Sequence, residues 1–206
     1  SVEHKPKHYV IPKFGFNAEF NLLQKLCASQ ASLVNHLLPE SSQKVYYRIG
    51  GGRYWKIFTN FQPQFHLNGK KSISSRENYL YFATAQLRDT AISVLSSSLF
   101  YWYFILTTNC RDLNPVDLRE FPISFATMDL DTLNSFVTKC GLLMADYRKN
   151  SEMKQKTSRQ TGAVIYQEFY PRLSKSLIDC IDTTLASHLG FTDDEVDFII
   201  NYDIKY

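Results

Sequence analysis

Acidic residues are missing from a whole stretch of this chain: none lies between Glu40 and Glu77, an interval that holds Lys44, Arg48, Arg53, Lys56, Lys70, Lys71 and Arg76. That absence removes the acidic ribose partner which a doubly wound nucleotide site needs about 20 residues after its glycines. It leaves two readings, a surface that faces a polyanion or a solvated face with chance clustering. The formal net charge is only +3, because the end of the chain reverses the sign: Asp179, Asp182, Asp193, Asp194, Glu195, Asp197 and Asp203 stand against Lys205. Long hydrophobic runs are also missing. The longest, "LFYWYFIL" from Leu99 to Leu106, is too short to span a bilayer, and no charged-then-apolar leader pattern opens the chain, so a cytoplasmic protein is expected. Cysteine is sparse, with Cys27, Cys110, Cys140 and Cys180 far apart, which excludes a zinc-type pairing or a dense disulfide framework and predicts reduced, mostly buried thiols. His4 and His8 have the spacing of helical metal ligands, but Pro6 between them argues against a helix, and no metal is expected.

What is present is the composition of a folded chain: 206 residues, 44% hydrophobic and 21% charged. Asn17 reads as a helix cap, followed by apolar residues at helical spacing from Phe20 to Leu38, as one long helix or two short ones. "VYYRI", "YWKIFT", "FHL" and "NYLYF" read as strands of one antiparallel sheet, the first two joined by Gly50, Gly51 and Gly52. From Thr84 the pattern becomes helical and then apolar on nearly every side through "SSSLFYWYFILTT", a central helix or helix pair. "NPVDLREFPIS" offers Asn114 as a cap, Pro115 at the first helical position, one short turn and a brief strand at "FPI". A helix of about five turns follows Asp129. "RKNSEMKQKTSRQTG" reads as a mobile polar interruption and "VIYQEFYP" as a strand or extended arm. Two further helices run from Ser174 to Leu189, closed by Gly190, and from Thr192, where Glu195 completes a capping box. The fold expected is α+β, an antiparallel sheet with a hairpin packed on a central apolar helix pair and then a helical region, divided as residues 1–128 and 129–206.

The three glycines do not make a phosphate loop, since Gly52 is followed by Arg53, Tyr54 and Trp55 in place of a lysine, a hydroxyl residue and a helix. A hairpin turn is the expectation. Alternation along the returning strand would set Arg53, Trp55 and Ile57 on one face and Tyr54, Lys56 and Phe58 on the other. Arginine beside aromatics on a basic ribbon suits phosphate contact and base-edge readout in a groove; the alternative makes Trp55 core and Arg53 solvated. "NPVD" at Asn114 to Asp117 lacks the second proline and the aromatic of the tetrad that holds a flipped adenine. Glu152-Met153-Lys154 fits half of a nuclease metal site, with only Asp146 nearby, and reads as coincidence. No serine elbow, zinc-protease helix or cysteine-histidine pair occurs, so no catalytic apparatus is expected in this chain.

Four long strings carry a resemblance: "YYRIGGGRYWKIFTNFQPQF", "SSRENYLYF", "SSSLFYWYFILTTNCRDLNPVDLREFPIS" and the close from "YQEFYPRLSKSLIDC" to the end. They resemble the carboxy-terminal target-recognition region of bacterial adenine-specific DNA methyltransferases of restriction-modification systems. "DLREFPI" before a long helix is also similar to the passage from recognition domain to connecting helix in Type I specificity subunits. The resemblance implies a specificity module that grips double-stranded DNA. A separate catalytic domain, absent here, would carry S-adenosylmethionine and the aromatic tetrad, so this chain would be no enzyme by itself. The opening at Ser1 without methionine fits an excised module. Candidate contacts, chosen on physical grounds, are Arg48, Arg53, Lys56, Lys70, Lys71 and Arg76 for phosphate or guanine, Trp55 for packing on backbone or bases, and Asn109, Arg111 and Asn114 in a polar loop. That loop reads equally well as structural, its side chains capping short helices. The alternative function is a protein-docking module with no DNA contact.

Overall fold

The computed structural model describes residues 17–28, 30–50, 55–159 and 162–202. His4, His8, Gly51, Gly52, Arg53, Tyr54, Asp203 and Lys205 lie outside the described residues. The elements run α1 (Asn17–Leu26), β1 (Gln43–Arg48), β2 (Phe65–Leu67), β3 (Lys70–Lys71), β4 (Glu77–Phe82), α2 (Ala85–Leu95), α3 (Ser98–Thr107), α4 (Pro115–Arg119), α5 (Leu130–Asn150), β5 (Glu152–Ser158), β6 (Gly162–Glu168), α6 (Lys175–Leu189) and α7 (Asp193–Asn201). Short 3-10 turns at Leu33–His36, Phe125–Thr127 and Pro171–Ser174 link them. The α+β class is as expected, and the apolar centre is a helix pair, α2 and α3, bent by 65°. Thr84 and Ser97 cap the two helices, each hydroxyl accepting an amide of the first turn. Among the described residues no single helix is long and apolar enough to cross a membrane.

The core lies where helical periodicity places it. α3 touches α6 and α7 and buries Phe100, Trp102 and Phe104, Phe100 lying edge-on to Phe58 and Phe121 and the Trp102 indole donating to Glu19; α5, packed on α2, buries Phe136, Cys140, Leu143 and Tyr147. Ser93 of α2 donates to the carbonyl of Phe136 at 2.8 Å, a polar tie that fixes the two helices in register. β1 and β4 pair antiparallel and alternate: Val45, Tyr47, Leu80 and Phe82 turn to the core, while Lys44 lies outside over the Tyr79 and Tyr81 rings. Thr192 and Glu195 form the expected capping box of α7, and Gly190 closes α6.

Five expectations are corrected. The strands do not form one sheet: β1 and β4 make a two-stranded sheet, and β2 leaves them to join β3, β6 and β5 in the order β3-β2-β6-β5. Among the described residues of "YWKIFT", Trp55 to Phe58 form no strand, and this segment meets β1 at the Tyr46 to Thr59 bridge and nowhere else. Packing overrides strand propensity there, because Trp55 stacks on Tyr101 and Phe58 meets Phe100 of α3 edge to face. "FPI" is no strand either; Phe121 and Ile123 are buried and the Phe121 carbonyl accepts from Leu33, outside any ladder. The polar stretch after α5 is strand β5, paired with β6 from Glu152↔Glu168 to Ser158↔Gly162. Only Cys140 of the cysteines is buried; all four are free, Cys27 and Cys180 exposed. Strands from both sides of the 128/129 boundary share the four-stranded sheet.

Candidate nucleic-acid interface

Two groups of cations need separate description. The first gathers where β1 ends and β4 begins. Arg48 faces Glu77 across the ladder, and the next residue, Ile49, donates its amide to the carbonyl of Arg76, so both guanidiniums leave from one corner. Protein atoms crowding the Arg48 head push its pKa down, as does the neighbouring Arg76 charge; Tyr166 and Glu77 act in the other direction. An arginine remains charged under such a shift, so two like charges are held close together. Leu113 donates to the Ile49 carbonyl and draws the 109–113 loop onto this corner. There Gly50 is buried, and a Cβ on it would meet Asp112 Oδ1 at 2.5 Å and Arg76 Nη1 at 3.3 Å. Gly50 thus serves packing against a side chain, and a phosphate cradle is not built at it.

Lys56 lies over the Phe104 ring at 5.2 Å and donates to the Arg111 carbonyl at 3.4 Å. Burial pulls its pKa down while Asp112 opposes the shift. It is a tie between the loop and α3. Trp55 is half-buried and stacked on Tyr101 at 4.7 Å, at the edge of the core. Asn109 accepts the Arg111 amide at 3.0 Å, an Asx turn that holds Cys110 at φ 64. Asn114 donates its amide and its side chain to Asp117, closing the start of α4. Both asparagines therefore hold local backbone, whereas the Arg111 side chain is 87% exposed, with Asp112 at 3.9 Å.

The second group is on the four-stranded sheet. β6 is flanked by strands on both sides, yet every one of its residues is only half-buried, so neither face is sealed. The tight β2–β3 turn, made by Asn68 (φ 50) and Gly69 (φ 78), lies beside the start of β6, where the Asn68 side chain accepts from the amide of Ala163 at 2.9 Å. Gly162 sits beside it at φ 75, where a Cβ would run into the Asn68 amide group. At this tip Lys70, Lys71, Lys156 and Arg159 are exposed, and among the described residues no ion pair holds them. The acids lie at the opposite end, where Glu152 is paired with Lys154 at 2.6 Å and the Tyr170 hydroxyl is within 3.0 Å of Glu152 and 2.9 Å of Glu168.

The structure thus brings Arg48 and Arg76 together with Arg111 nearby, places Lys70 and Lys71 on an outer strand, and gives Lys56, Asn109 and Asn114 local structural partners. Lys156 and Arg159 were missed by sequence reasoning because their segment was expected to be mobile; the lysines at every second position, 154 and 156, were the available signal. The carboxy-terminal acids sit elsewhere, Glu195 pairing with Lys25 of α1 at 2.6 Å and Asp179 with Lys175. No family model, curated protein or solved structure matches the chain.

Proposed function

We propose that this chain is a DNA-recognition module, the specificity part of an adenine-specific DNA methyltransferase whose catalytic domain and S-adenosylmethionine site lie in another part of the protein. The observation that carries the DNA-binding half of this reading is the crowding of Arg48 and Arg76 at one corner, beside an exposed Arg111. Glu77 and Asp112 lie at the same corner and offset part of this charge; the surplus of guanidiniums still favours an added anion, and paired phosphate oxygens suit guanidinium donors. The methyltransferase half rests on the sequence resemblance.

Titrating the chain with duplex DNA across a range of salt tests the reading. Binding with a steep salt slope is expected, and Arg48→Ala with Arg76→Ala should flatten that slope by about one to two units. A chain that ignores duplex DNA at low salt, but loses a protein partner on charge reversal at Asp193 and Asp194, would make it a docking module instead.

A further inference from the structure

Resting on the DNA-binding reading, we infer that the β5–β6 hairpin is part of the DNA interface, and that Lys70 and Lys156 take phosphates on opposite sides of one groove. The inference comes from the strand register. Lys70 pairs with Leu67, Leu67 with Val164, and Val164 with Lys156, so these four residues form a single cross-strand row. Directly opposed residues of antiparallel strands point to the same face, and the row is therefore cationic at both ends and apolar in the middle. Three inter-strand spacings of about 4.8 Å set its two lysines about 14 Å apart at the backbone.

That span is close to the roughly 12 Å width of the major groove between its phosphate walls. Four strands lying flat are too wide to enter a groove that admits a two-stranded ribbon, so the row bridges the walls and does not descend between them. The adjacent row on the same face, Phe65–Tyr166–Lys154, continues the pattern toward Arg48, whose charge Tyr166 influences. Lys156 extends over the Tyr166 ring at 5.5 Å, which directs its ammonium along this face. Acids are confined to the far end of the sheet, where Lys154 and Tyr170 engage Glu152. Among the described residues of this sheet, a polyanion can therefore approach the tip without meeting a carboxylate.

The experiment is a salt titration of a short duplex, and of one of its single strands, with the unaltered chain and with Lys70→Ala, Lys156→Ala, the double variant and Lys156→Arg. Each alanine should flatten the duplex salt slope by about one unit and the pair by about two, while arginine keeps the slope. Either alanine should also narrow the preference for duplex over single strand, because only the duplex presents two walls. Melting temperatures should not move, since both lysines are exposed. If Lys70→Ala or Arg48→Ala flattens the slope and Lys156→Ala does not, the hairpin is outside the interface and the DNA reading stands. A flatter slope with unchanged duplex preference overturns the bridging of two walls. Failure of the unaltered chain to bind duplex overturns the DNA reading and this inference with it.

Discussion

The helical body and the four-stranded sheet are built on opposite terms. In the body, Trp102, Phe104, Phe136 and Tyr147 are almost wholly withdrawn from water, packed between α2, α3, α5 and α6. In the sheet the inner strand β6 buries none of its residues, and its order depends on ladder hydrogen bonds and on the tight Asn68–Gly69 turn beside it. Apolar burial at about 25 cal/mol per Å² stabilises the first strongly and the second little. Regions with few buried contacts open at lower free energy than the core. The difference teaches where a ligand can act: binding adds most order to the part that packing leaves least ordered.

The largest expected effect is in the body. Trp102 is fully buried and its indole donates to Glu19 at 3.2 Å, so Trp102→Ala should lower unfolding free energy by about 3 to 5 kcal/mol in a urea titration. Tyr166→Ala, on the half-buried face of the sheet, should lower it by no more than about 1 kcal/mol. Equal losses would break the comparison.

Next comes Asp182, which α6 buries against the start of α3. Its Oδ1 accepts the Leu99 amide at 3.3 Å, and among the described residues its Oδ2 has no hydrogen-bond partner. Burial pushes its pKa up to about 7. The folded chain thus holds this proton more tightly than the unfolded one, so the stabilisation is complete below about pH 4 and is lost as pH rises through about 7. Asp182→Asn should remove that dependence, leaving the variant more stable than the native chain by about 1 to 3 kcal/mol at pH 8, with the gap closing toward pH 4. Thermal melts across this range would read it, and parallel curves for both chains would contradict it.

A smaller effect sharpens the contrast from the sheet's side. Gly162→Ala places a side chain at a positive φ against the Asn68 amide group, a local strain of about 1 to 2 kcal/mol. Hydrogen exchange at the amides of β6 should quicken about tenfold, with little change in the core amides of α5. Coupled acceleration in both would mean that sheet and body unfold as one.

Sequence reading succeeds where burial imposes a period. The helices α2 and α5 declare themselves by apolar spacing, α3 by a run apolar on nearly every side, α6 by its closing Gly190, and α7 by the capping box of Thr192 and Glu195. β5 fails that test, because "EMKQKTS" is exposed along most of its length, so no apolar alternation marks it. The joining of β2 to β6 is equally silent, since Leu67 and Val164 are far apart in the chain and nothing local specifies the pairing. "YWKIFT" misleads for a third reason: its aromatics are anchors on α3, and their strand propensity is overridden by packing. Of the candidate site, the clustered charge between Glu40 and Glu77 was legible, and the corner that sets Arg48 beside Arg76 was not.

The central claim, that the four-stranded sheet and the Arg48–Arg76 corner of the β1–β4 pair are where DNA binds, is met most directly by hydrogen exchange of the whole chain with and without saturating duplex. The account predicts slowed exchange in residues 65–71 and 152–168 and around Arg48 and Arg76, with α6 and α7 unchanged. Protection confined to the acidic start of α7 or to the outer side of α5, with the sheet unchanged, would contradict it.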